Sequence, residues 1–318
     1  MKRFHLAVAI VAVSVAACGG TTTNPSSSGS GGPNKVASIA SAVPSSVPSP
    51  IQIATDATYA PNEYIDENSG DIVGWDIDLA KDVCKVLGKA CTMNNVIFSN
   101  IIPQLTASEP RYLVSFSSFT PTADREAKGI DFISYYKAGA SWVVKASGGP
   151  NISNAADMCG KSVAVETGTT EESDAWGYMG QQVGGSPIAG DKNNCKDAGK
   201  QDIKVLSFDK QTDANSALLS GRADILWLDQ PVAGYQVKQS GGKLKLGGQP
   251  CNVAPYGIAL PKNSPLEKPI QDAIKYLIDN GYYKNMLSRW GVQDGAIQSS
   301  DVKINDNNAI GSSCVPSY

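Results

Sequence analysis

Between residues 51 and 290, short strand-like runs alternate with helix-like stretches, an order that few architectures accept. Residues 51–54 form an apolar run that ends near Asp56, and 72–76 read as a short strand or turn. Over 76–87 Ile77, Ala80, Val83, Cys84 and Leu87 recur at helical spacing, and Gly88 closes the helix. Residues 92–98 are strand-like, 100–105 begin a helix, and 112–119 are a strand. Further strands are predicted over 141–145, 162–165, 203–208, 223–228 and 256–260. Helices are expected after Thr170, over 213–220 with Leu218 and Leu219 on the apolar side, over 231–239, and twice within 265–290. Strands that alternate with helices predict α/β architecture with mostly parallel sheets. In such sheets ligands sit beyond the carboxyl ends of strands. Asp56, residues 117–125, Thr169-Thr170 and Asp229 all fall just after predicted strands, which marks them as one site.

The N-terminus speaks to compartment. Lys2 and Arg3 precede an apolar run over 6–15, and Val15-Ala16-Ala17-Cys18 follows. That is the layout of a cleaved export signal over 1–17, too short to span a membrane. The cysteine after small residues looks like a lipobox, so Cys18 is expected to be acylated and to tether the chain to a membrane. Residues 18–48 are Ser, Gly, Thr, Pro, Ala and Val with almost no charge, and read as a flexible tether. The rest is long enough for one large domain or two lobes.

Cys84, Cys91, Cys159, Cys195, Cys251 and Cys314 remain, an even set without a CxxC pair. In an oxidising compartment they read as three disulfides, although sequence leaves the connectivity open; nearest-neighbour pairing is preferred. Zinc is disfavoured by the spacings and by the absence of histidine after His5, and no metal or other cofactor is expected. The same absence excludes His-based triads but not carboxylate or lysine chemistry. With a formal net charge of -3 and no basic block, nothing points to nucleic acid.

A free amino acid is a zwitterion, so its site must offer a cation, an anion and further donors. Arg125 can grip a carboxylate bidentately. Ser117, Ser118 and Thr120 can add hydroxyl and backbone donors from the same strand end, and Gly168-Thr169-Thr170 offers N–H groups at a helix start. Asp229 is the natural anion for the ammonium.

With these residues in order, the chain resembles the extracellular solute-binding proteins of family 3, which serve polar amino-acid ABC transporters. The motifs are Asp56-Ala57-Thr58-Tyr59-Ala60-Pro61, Gly74-Trp75-Asp76-Ile77-Asp78-Leu79-Ala80, and Phe98 before Ile102-Pro103-Gln104-Leu105. They continue with Ser117-Ser118-Phe119-Thr120-Pro121-Thr122-Ala123-Asp124-Arg125, Asp131-Phe132 with Tyr135-Tyr136, Gly168-Thr169-Thr170, and Gly221-Arg222-Ala223-Asp224 leading to Asp229. The resemblance implies a two-lobed periplasmic binding protein (type II) with two hinge crossings, lobe 1 over 49–140 and 247–318 and lobe 2 over 141–246. It implies that Arg125 clamps the α-carboxylate with Thr120 and Thr170, and that Asp229 and the Ser118 backbone hold the ammonium. Tyr59 and Phe98 would sandwich the ligand side chain, with plain core packing as the alternative. Trp75 stands where Phe is usual, read as a packing change, and Leu113 where Asp is common. The extension after Gly291 is expected to be pinned to the first lobe through Cys251.

Asp56 matches an acidic residue that faces the cationic end of the ligand in lysine-arginine-ornithine binders, and Cys84–Cys91 matches a disulfide of that branch. By the same resemblance Glu166, two residues before Gly168, would lie near the ligand side chain. Two carboxylates favour a basic amino acid (arginine, lysine or ornithine), since a lone buried anion is costly. A neutral, glutamine-like ligand is the alternative, as are a dehydratase-type enzyme on the same fold and a receptor ectodomain. The expectation is a monomeric, membrane-anchored lipoprotein, in the periplasm or on the outer face of the cell membrane, that partners an ABC permease and is not an enzyme.

Overall fold

The computed structural model describes residues 32–308 and 313–315; the expected signal segment and Cys18 lie outside the described residues. A short helix α1 (Ala37–Ala40) leads to strand β1 (Ile51–Thr55). The small strands β2 (Thr58–Tyr59), β3 (Glu63–Ile65) and β4 (Ile72–Val73) form a sheet of their own. Helix α2 (Trp75–Leu87) ends on Gly88 in the left-handed conformation. Then come β5 (Cys91–Asn95), α3 (Phe98–Leu105), β6 (Val114–Phe119), α4 (Ala123–Ala127) and the long β7 (Ile130–Lys145). Next are β8 (Ser162–Glu166), α5 (Thr170–Gly177), α6 (Asn194–Asp197), β9 (Lys204–Phe208), α7 (Gln211–Ser220), β10 (Ile225–Asp229) and α8 (Gln230–Gln239). A second long strand, β11 (Leu244–Pro261), precedes α9 (Glu267–Asp279) and α10 (Tyr282–Trp290).

The main sheet runs β5-β1-β6-β11-β7-β10-β8-β9. β1 pairs in parallel with β5 and β6, and β8 with β9 and β10; every pairing of β7 and β11 is antiparallel. These two strands belong to both halves of the sheet. Ile133, Tyr136 and Ile258 pack in one core with Trp75, Phe116 and Leu287. Ala140, Trp142 and Val144, further along β7, pack in another with Trp227 and Met158. The expected lobe limits at 140 and 246 fall inside β7 and β11.

Three expectations about the elements and the tether need correction. The strand predicted over 141–145 is only the end of β7, because 130–140 is buried on both faces and lacks alternation to betray it. Leu219 is 48% exposed while Leu218 is fully buried, so α7 turns only one of the pair to the core. Part of the tether 18–48 is docked: Val43 and Val47 are buried in the core to which α2 and α9 contribute, and the Val36 N–H donates to the Val86 carbonyl at 3.0 Å. Scattered valines supply the apolar surface that its Ser-rich composition conceals.

Disulfides join Cys84–Cys91, Cys159–Cys195 and Cys251–Cys314. The last departs from expectation in its location. Cys251 pairs with Ala140 and packs with Cys314, Trp142 and Ile152 in the core of the second half, not the first. The tail does touch the first half earlier, where Ile304 bridges Ile133 and Asn305 hydrogen-bonds Phe132 and Asp131.

Candidate functional site

Strand ends from both halves of the sheet meet at one small cavity. Its volume is about 20 Å³, measured to the centres of water-sized spheres, room for about one water. Asp56, Tyr59 and Phe98 line it from the β1 side, and Ser117, Ser118, Thr120 and Arg125 from the end of β6 and the start of α4. Glu166, Thr169, Thr170 and Asp229 line it from the second half. Every residue expected from sequence thus borders the same space, and Glu63 and Glu171, which were not expected, border it too.

Arg125 sits in the first turn of α4, where its N–H donates to the capping Thr122 hydroxyl at 3.2 Å. The guanidinium lies over the rings of Phe98 and Phe119, 5.5 and 5.3 Å from their centroids. It donates to the Thr120 carbonyl at 2.6 Å and, across the cleft, to the Gly168 carbonyl at 2.8 Å. A guanidinium has five N–H donors, so others remain for a carboxylate. Burial draws its pKa down to about 10, opposed by Glu171, Asp229 and Asp124. Gly168 has φ +85°, and an added Cβ would come within 3.2 Å of the Ser99 side chain. A glycine there lets the second half approach α3 closely.

Two buried groups hold the first-half wall. Ser118 adopts φ 52°, a left-handed conformation rare outside glycine. Its N–H donates to Asp76 Oδ2 at 3.2 Å, and the Tyr135 hydroxyl donates to the same oxygen at 2.8 Å. Glu63 accepts from the Ser117 and Ser118 hydroxyls at 3.4 and 3.2 Å. Burial first, and Asp76 second, raise the Glu63 carboxyl well above its usual range, while burial lifts Asp76 to about 7. Trp75 does more than fill space, since its indole N–H donates to Asn62 Oδ1 at 2.7 Å and secures the loop that carries Glu63.

Asp56 is heavily engaged. Its Oδ1 accepts from the Thr58 N–H and hydroxyl at 3.1 and 2.7 Å, and its Oδ2 from the Phe98 N–H at 2.7 Å. These bonds stabilise the anion, but burial outweighs them and raises its pKa. Glu166 accepts from the Gln211 N–H at 3.1 Å, and burial reinforced by Asp56 raises it well above the carboxylate range. Tyr59 reaches across the cleft: its hydroxyl donates to Asp229 Oδ2 at 2.9 Å and accepts from the Asp229 N–H at 3.1 Å. Thr169 caps α5, with its hydroxyl accepting from the Glu172 N–H at 3.2 Å. Thr170 donates to Glu171 Oε2 at 3.2 Å.

The site is therefore one guanidinium facing several buried carboxylates, with hydroxyls and a helix start between them. It can take a zwitterion and has anions left for a further cation. In this conformation the walls contact each other through Arg125–Gly168 and Tyr59–Asp229, so admitting a ligand larger than water requires them to part. Glu171 follows Thr170 at the start of α5, and that adjacency was the available signal for it. Glu63 had none, because its place depends on the β2–β3 hairpin folding back onto β6.

Residues 51–293 match the family described as bacterial extracellular solute-binding proteins, family 3. The arginine-binding protein ArgT of Corynebacterium glutamicum is 29% identical over 242 residues, 76% of this chain and 74% of the relative. An ancestral arginine-binding protein solved with arginine bound is 33% identical, with a TM-score of 0.66 over 77% of this chain and 99% of that one. An ancestral arginine-binding protein solved with glutamine bound gives 32% and 0.65, over 77% and 99%.

Proposed function

Because the chain belongs to the bacterial extracellular solute-binding proteins of family 3, we propose that it captures a free basic amino acid outside the cytoplasm and hands it to the permease of an ABC importer. One observation carries the choice of ligand: Arg125 stands alone as a cation in a cavity lined by Asp56, Glu63, Glu166, Glu171 and Asp229. Arg125 and the α5 start take the α-carboxylate, with Thr120 and Thr170 adding hydroxyls. Asp229 takes the ammonium once Tyr59 releases it. Asp56 and Glu166, bridged by Thr58, face the side-chain cation, whose arrival offsets the cost of burying them ionised. Relatives named for arginine binding support this reading.

A glutamine-like ligand is the second reading. It is favoured by the N–H and hydroxyl donors that already engage both Asp56 oxygens, and by the glutamine-bound neighbour. Binding without turnover, lobes over 49–140 with 247–318 and over 141–246, a lipid anchor at Cys18 and a monomeric state complete the proposal. Among the described residues no helix is long and apolar enough to cross a membrane.

A thermal-shift screen of the ligand-stripped protein against the common amino acids, ornithine and citrulline tests the reading. A ligand that binds only the folded state, at about a hundredfold over its Kd, raises the melting temperature by several degrees. Shifts confined to arginine, lysine or ornithine are expected. Shifts confined to glutamine would move the assignment to the second reading, and tight glutamate binding alone would overturn both.

A further inference from the structure

Glu171 is 3% exposed, lines the cavity, and keeps its Oε1 without a hydrogen-bond partner. Its Oε2 accepts from the Thr170 hydroxyl at 3.2 Å. A buried carboxylate oxygen with nothing to accept from is costly unless a proton or a ligand donor satisfies it. Another carboxyl, Asp229 at the end of β10, lines the same cavity of about 20 Å³.

We propose that Glu171 is a second anion for the ligand's α-ammonium, and that Glu171 and Asp229 share one proton which ammonium binding displaces into solvent. The inference rests on the amino-acid reading above and deepens it. In the closed, ligand-free site the pair carries one proton and one negative charge, because two adjacent buried carboxylates do not both ionise readily. An arriving ammonium supplies three N–H donors and a positive charge. The pair then ionises fully, its proton passes to water, and both carboxylates accept from the ammonium. Capture is thereby a proton exchange, tighter as pH rises.

The groups around the pair set the balance. Arg125 favours the ionised form of both carboxyls, and the Tyr59 hydroxyl supports the Asp229 anion. The Glu171 charge in turn raises Asp174, one turn along α5, and Glu166 across the cavity. The Tyr256 hydroxyl lies beside Asp229 and favours its anion. Burial is the largest influence and raises both carboxyls.

Calorimetric titration of the full folded chain with L-arginine, near neutral pH in phosphate and in Tris, reads the exchange directly. The slope of apparent enthalpy against buffer ionisation enthalpy gives the protons released per arginine, of which about one should come from this pair and the rest from the side-chain subsite. Glu171→Gln should lower the release by about one proton and weaken arginine roughly ten- to hundredfold. Glu166→Gln should weaken arginine but keep the proton that Glu171→Gln removes, which separates this pair from the side-chain subsite. Equal enthalpies in both buffers for the unmodified protein would overturn the proposal and leave the amino-acid reading intact. A release unchanged by Glu171→Gln would overturn it as well. No saturable response to arginine or to any other amino acid would refute the binding reading and this inference together.

Discussion

Arg125 carries more of the site than any other residue, because its guanidinium joins both walls and is the only cation among the lining residues. Arg125→Ala leaves Glu171 and Asp229 facing each other with no counter-charge. Arginine affinity should then fall at least about a hundredfold, by calorimetry on protein with an unchanged circular dichroism spectrum. Lysine does not restore the bidentate fork, so Arg125→Lys should recover little. Asp174 predicts a pH effect at the same scale. It accepts from Asn252 Nδ2 at 2.6 Å, and burial, with Glu171 adding, raises it to about 7. An unfolded Asp titrates near about 4, so between about 4 and about 7 the folded state binds the extra proton. The resulting stability is complete below about 4 and is lost as pH rises through about 7. The ligand-free protein should accordingly melt lower at about pH 8 than at about pH 5 through this group, and Asp174→Asn should narrow that difference by several degrees.

Helix α2 shows what an element demands of one position. Gly74 precedes it with φ +137°, and an added Cβ would fall 2.0 Å from the Asn62 carbonyl oxygen. Neither the dihedral nor the contact admits a side chain, and Asn62 cannot retreat because it holds the Trp75 indole and the Ser118 hydroxyl. Gly74→Ala should cost about 3 kcal/mol or more, a fall of roughly 6 °C or more in melting temperature. Helix α7 makes the converse case. Leu218→Ala should cost about 2–5 kcal/mol in urea unfolding, whereas Leu219→Gln should stay within about 0.5 kcal/mol, because only Leu218 meets the core.

At the scale of the molecule, β7 and β11 carry the chain between the halves, and the tail contacts both. It lies along the first half at Lys303, Ile304 and Asn305, then is bonded to the second through Cys314. The Cys251–Cys314 bridge spans 63 residues of sequence. By chain entropy, closing such a loop contributes about 4 kcal/mol. Replacing both cysteines with Ala should lower unfolding free energy by up to about that amount, as an earlier midpoint in urea.

Much of this was legible in the residues before the fold was known, for local reasons. The helical spacing of Ile77, Ala80 and Val83, the stop at Gly88 and the turn residues after β6 and β8 are short-range properties, written within one or two turns of chain. The clustering of Asp56, Arg125, Thr170 and Asp229 followed from the rule that strands of a parallel sheet end on one side. Other features depend on partners distant in sequence. The unbroken run of β7, the docking of Val43 and Val47, and the seat of Cys251 in the second half reflect contacts that leave no periodic trace. So do the entry of Glu63 and the partnering of Asp56 and Tyr59. Which oxygen of a carboxyl is already satisfied, and whether the cavity is open or drawn shut, is decided by long-range packing, because burial and hydrogen-bond completion belong to the assembled walls and to no single segment.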